Sequence, residues 1–168
     1  MTAADSLRPS PLARIRQDVQ AMHAYAVQDA AGMVKLDAME NPHTLPPALR
    51  AALGQRLGEV AINRYPGPTV DQLKRALHGY AQPPAGWSLM LGNGSDELIS
   101  LLAMACDVPG ASVMAPVPGF VMYAFSAQLQ GLAFHGVPLT PDFELDEPAM
   151  LAAVRQHRPA ILYLAYPN

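Results

Sequence analysis

The apolar positions of this 168-residue chain change period several times. In "PSPLARIRQDVQAMHAY", Leu12, Ile15, Val19 and Met22 recur at helical spacing. That predicts one helix with Ser10 as its cap and Pro11 in its first turn. "MVKL" predicts a short strand leading into "DAMENPHTLP", a polar, proline-rich loop. "PPALRAALGQRLG" predicts a helix ended near Gly58. "TVDQLKRALHGY" predicts another, with Thr69 and Gln72 spaced as a capping box. Between them Pro66, Gly67 and Pro68 forbid regular structure.

The second part alternates. "WSLML" reads as a strand, "GNGS" as a loop and "DELISLLAMA" as a helix. "ASVMA" is a strand, "PVPGF" a loop, and "VMYAFSAQLQ" a helix closed by Gly131. "LAFHGVPL" is a strand, "DEPAMLAAVRQH" a helix with Asp146 as cap and Pro148 in the first turn, and "AILYLAY" an apolar strand. Strands alternating with short helices predict an α/β fold of βαβ units around a mainly parallel sheet. No repeat or low-complexity tract interrupts it.

Composition narrows the class. Hydrophobic residues make up 51% and charged residues 15%, so the chain is globular rather than disordered. Net charge is −3 and the basic residues are few and scattered, so nothing suggests a nucleic-acid surface. The N-terminus has no apolar signal region, and no stretch reaches the roughly 20 apolar residues of a membrane span. A cytoplasmic protein is expected. The single cysteine, Cys106, excludes an internal disulfide and fits a reducing compartment; its apolar neighbours predict a buried, inert thiol. His23, His43, His78, His135 and His157 form no spaced ligand pair, so no metal site is expected.

The chemistry gathers at the loops. Gly-Asn-Gly-Ser-Asp stands between a strand and a helix, where unpaired N–H groups and a partial positive charge attract anions. It is not a Walker A loop, and Glu97 stands where a dinucleotide fingerprint needs its third glycine. Taken alone, it is either a capped turn or an anion cradle. Glu40 and Asn41 lie just past a strand end, as an Asx turn or a ligand loop. Tyr65 sits in a rigid loop, Phe120 at a loop-to-helix junction where it packs inward or covers a flat ligand, and Asn168 just past a strand.

Taken in order, "LDAMENP", "INRYPGP", "GNGSDELI", "PVPGFVMY" and "YPN" resemble the histidinol-phosphate aminotransferases, from about Met22 to Asn168. The resemblance implies the PLP-dependent transferase fold type I and pyridoxal 5′-phosphate (PLP) as cofactor. Residues 1–34 would be an N-terminal helical arm, and residues 35–168 the N-terminal part of an incomplete large domain. By the same resemblance, Gly94, Ser95 and Asp96 bind the cofactor phosphate, Phe120 stacks on the pyridine ring, and Asn168 bonds the ring hydroxyl. Tyr65 resembles a tyrosine reaching the phosphate in the neighbouring subunit. Glu40 and Asn41 resemble the substrate-side loop, with Tyr25 near the substrate phosphate. The resemblance also implies a homodimer and a small phosphorylated amino substrate.

One necessary group is missing. Such enzymes use a lysine that forms a Schiff base with the cofactor. Only Lys35 and Lys74 are present, and neither has the Ser-x-x-Lys setting. The chain therefore reads as the N-terminal part of a longer enzyme, inactive alone. An aromatic aminotransferase, a threonine-phosphate decarboxylase and a non-catalytic phosphate-ligand module remain open alternatives.

Overall fold

The computed structural model describes residues 11–24, 29–36 and 40–166. Ser10, Tyr25 and Asn168 lie outside the described residues. Two compact units form: one within residues 24–89, the other from the residues up to His23 together with those from Met90 onward.

The sequence predicted one long N-terminal helix. The chain instead makes a 3₁₀ turn, Pro11–Arg14, and a single turn of α-helix, α1 (Gln17–Gln20). The break is at Arg16, whose backbone is extended (φ −54°, ψ 138°). Its guanidinium donates to the carbonyls of Gln128 and Leu129 at 2.6 and 3.0 Å. A long-range contact thus overrides local helix propensity.

In the 24–89 unit, α2 (Pro47–Gly58) and α3 (Pro68–Ala81) stand where the sequence predicted helices. The capping box is not formed. Gly67 is the N-cap of α3 at φ 48°, and Pro68, with its ring-fixed φ, starts the helix one residue before Thr69. Neither helix has a buried residue; Leu49, Leu53 and Leu57 make an exposed stripe along α2. "MVKL" is not a strand, and Val34 and Leu36 are exposed. A strand needs a ladder partner, and among the described residues none lies beside it. "WSLML" is likewise unpaired, with Trp87 and Met90 exposed.

The other unit holds the core. In chain order it contains α4 (Ser95–Ala105), β1 (Ser112–Val117), α5 (Met122–Gln130), β2 (Ala133–Pro138), α6 (Glu147–His157) and β3 (Ile161–Leu162). The three strands are parallel in the order β2-β1-β3, with Met114 level with His135 on one side and Leu162 on the other. The mainly parallel α/β sheet is as the sequence predicted. "AILYLAY" forms only a two-residue strand, prolonged by Tyr163 N–H donating to Met114 O at 2.9 Å.

Alternation along β1 explains the layers. Val113 points into a cluster with Ala103, Ala127 and Leu132, beneath α4 and α5. Met114 points the other way, to Val137 and to Met150 of α6. Helices therefore cover both faces. Asp146 caps α6 as predicted, accepting from Ala149 N–H at 3.0 Å. Gly131 closes α5 in the left-handed region, also as predicted (φ 80°). Cys106, at the C-cap of α4, is half-buried rather than fully enclosed, because the helix ends there and the chain turns outward. No helix among the described residues is long and apolar enough to cross a membrane.

Candidate active site

A short link joins α4 to β1, and the first turn of α4 is tied to the end of β3 by the Tyr163 hydroxyl, which reaches Ile99 O. Gly94 is its N-cap, at φ 87° and ψ 175°, a conformation essentially reserved for glycine. No side chain caps the helix. Glu97 turns back, accepting from the backbone N–H of Asn93 and from its side-chain amide at 3.1 Å. A Cβ on Gly92 would come within 2.9 Å of the Leu98 side chain and 3.0 Å of Glu97 Oε2, so a larger residue here would push on the side chain that braces the loop. The N–H groups of Gly94, Ser95 and Asp96 have no partner among the described residues, and Ser95 adds an exposed hydroxyl. A set of backbone donors at a helix N-terminus plus a hydroxyl suits an anion such as phosphate.

β1 runs through a cis Val117–Pro118 bond and Gly119 into Phe120. A Cβ at Gly119 would sit 2.8 Å from Pro116 O, so only glycine admits this turn. Phe120 is 42% exposed, which rules out the purely inward packing that its sequence context allowed. Its ring meets Tyr123 at 5.5 Å and 87°, and Tyr123 stacks on Tyr163 at 4.3 Å and 4°. The Tyr163 hydroxyl donates to Ile99 O on α4 at 3.4 Å. Burial pushes the Tyr163 phenol above its ordinary range, with Cys106 and Tyr123 adding to the shift. A cavity of about 510 Å³ opens here, at the C-terminal ends of all three strands, lined in part by Phe120, Tyr123, Leu139, Phe143 and Tyr166. That is where ligands collect in open α/β sheets.

The structure thus joins Phe120 to α4 through two rings. Glu40 and Asn41 lie in the other unit. Glu40 pairs with Lys35 at 3.8 Å, and the Asn41 side chain accepts His43 N–H at 3.0 Å, making the Asx turn. Tyr65 is 99% exposed in that unit. Sequence reasoning missed Tyr123 and Tyr163 as neighbours of Phe120. Tyr123 follows it by three residues, a spacing that could have pointed to contact; nothing local marks Tyr163. It also missed the stacking of His135 on His157, with ring centroids 3.8 Å apart. Among the described residues no three His, Cys, Asp or Glu side chains could together hold a metal ion.

The sequence model for aminotransferase class I and II matches residues 31–168. The chain belongs to this family. Within it, the chain is 70% identical over 169 residues to the histidinol-phosphate aminotransferase of Polaromonas naphthalenivorans, covering 100% of this chain and 46% of that one. It is 72% identical over 154 residues to the histidinol-phosphate aminotransferase of Methylibium petroleiphilum, covering 92% of this chain and 42% of that one. This aminotransferase chain therefore spans less than half the length of these curated relatives. Among solved structures, the histidinol-phosphate aminotransferase of Sinorhizobium meliloti, in complex with pyridoxal 5′-phosphate, matches with a TM-score of 0.69 and 24% identity, over 92% of this chain and 43% of that one. The Clostridium acetobutylicum histidinol-phosphate aminotransferase matches with a TM-score of 0.57 and 18% identity, over 70% of this chain and 33% of that one. The fold of this aminotransferase chain is part of a fold-type I large domain.

Proposed function

We propose that the chain forms part of a PLP-dependent aminotransferase that moves an amino group between histidinol phosphate and 2-oxoglutarate in histidine biosynthesis. The observation that carries this reading is the unpartnered donor set at the N-terminus of α4, joined to an aromatic shelf at the strand ends. The substrate is inferred from relatives of 70% and 72% identity that bear that activity in their names. A homodimeric, cytoplasmic enzyme completes the proposal.

The donor chemistry fits the cofactor. Backbone N–H groups of Gly94, Ser95 and Asp96, with the Ser95 hydroxyl, hold its phosphate, and Phe120 covers its ring. When bound, PLP supplies an electron sink for the bond broken at the carbon that bears the substrate's amino group. Glu97 keeps the loop in shape and its own carboxylate turned onto Asn93. Asn168 is assigned to the ring hydroxyl, and Glu40, Asn41 and Tyr25 to the substrate side. Tyr65 of one protomer is assigned to the phosphate in the other. The exposed apolar stripe on α2 supports a partner surface in that unit. Neither Lys35, paired with Glu40, nor Lys74, on α3, is assigned the proton-moving role. That role falls to the part of the relatives' length this chain does not span.

Glutamate formation from histidinol phosphate and 2-oxoglutarate, measured on protein extended to the relatives' length, tests the proposal. Turnover is the expected result. Turnover with an aromatic amino donor alone rejects the substrate, and no PLP binding rejects the enzyme reading.

A further inference from the structure

We propose that Tyr123 and Tyr163 are positioning residues that fix the ring-covering Phe120 relative to the phosphate-binding turn of α4. This rests on the roles given to Phe120 and α4 under Proposed function.

Phe120 belongs to no helix or strand and is partly exposed, lining the cavity. Its own backbone ties are few; its carbonyl accepts from Tyr123 N–H at 3.2 Å. What holds the ring laterally is Tyr123, set edge-to-face against it at 5.5 Å. Tyr123 is in turn backed by the nearly coplanar ring of Tyr163 at 4.3 Å. Tyr163 follows β3 and packs against the Ala103–Val113 cluster, so its position is set by the core. Its hydroxyl then reaches Ile99 O, one turn into α4 from Ser95. The path from ring to phosphate turn therefore runs Phe120, Tyr123, Tyr163, Ile99. A cofactor held at both ends needs those ends at a fixed separation, and displacements of about 1 Å can cost about a hundredfold in rate.

The test uses protein of the relatives' full length, in apo and PLP-loaded forms, with Phe120→Leu, Tyr123→Leu, Tyr163→Phe and the Phe120→Leu/Tyr123→Leu double variant. PLP affinity is read by absorbance titration, and the apo melting temperature separately. Tyr123→Leu is expected to weaken PLP binding about tenfold, the upper range of an aromatic pair. The double variant is expected to bind no worse than Phe120→Leu alone, because Tyr123 acts through Phe120. Tyr163→Phe keeps the stack and is expected to weaken binding about two- to threefold, the lower range for a lost hydrogen bond, with only a small fall in the apo melting temperature. Unaltered affinity in both Tyr123→Leu and Tyr163→Phe, or additive losses in the double variant, overturns the inference. If Tyr123→Leu does not fold, Tyr163→Phe decides alone. If Phe120→Leu leaves affinity unchanged, the assignment of Phe120 fails first, and the inference with it.

Discussion

The carboxylate of Glu97 is bonded back to Asn93, on both its backbone N–H and its side-chain amide. This explains how a helix can open with Asp96 and Glu97 and still present a phosphate site. One of the two carboxylates is spent on shaping the loop, and the free donors sit between Gly94 and Asp96. Glu97→Gln keeps an acceptor and removes a negative charge, so PLP binding is expected to hold or tighten. Glu97→Ala removes the brace, and binding is expected to weaken about tenfold, the scale of a charge-assisted hydrogen bond. Absorbance titration of the two variants checks this.

Gly94 carries the sharpest backbone demand in the loop. No atom lies within 4 Å of where its Cβ would be, so Gly94→Ala creates no clash. It is strained only by the backbone angles, and about 1–3 kcal/mol is expected. The strain is relieved by moving the loop, so PLP affinity falls more than overall stability does. Urea unfolding of the apo form alongside PLP titration separates the two; a stability loss with unchanged affinity goes against the assignment.

Asp146 is the side-chain cap of α6 and has no bond to the phosphate turn of α4. Asp146→Ala leaves Ala149 N–H without its acceptor and is expected to cost about 1 kcal/mol of stability. PLP affinity is expected to stay unchanged. Urea unfolding and the same titration measure both.

Tyr163 gives the fold a dependence on alkaline pH. Its folded pKa lies above the ordinary 10.0, because burial disfavours the phenolate. Below that value both states hold the proton and the group contributes no pH dependence. Above it the unfolded chain ionises first, so stability falls as pH rises. Tyr163→Phe lacks this component. Urea unfolding just below and about one unit above the free-tyrosine value is expected to show a shallower loss in the variant.

Much of this was legible in the sequence because the governing signals were local. Asp146 and Pro148 start α6, Gly131 ends α5, and the apolar runs at 112–117 and 133–138 pair in parallel. What failed depended on partners distant in the chain. Arg16 breaks a helical pattern to reach carbonyls more than a hundred residues away. "MVKL" and "WSLML" have strand composition, yet composition does not supply a neighbouring strand. At the site, the loop glycines and Phe120 carry signals of their own. Tyr163 does not, since its place beside Tyr123 is set only when β3 joins the sheet.

The most direct test is a crystal structure of the protein at the relatives' full length with PLP bound. The phosphate is expected within hydrogen-bond distance of Ser95 Oγ and the Asp96 N–H, with the ring against Phe120. A phosphate bound elsewhere, with the N-terminus of α4 filled by a side chain or solvent alone, would contradict the assignment.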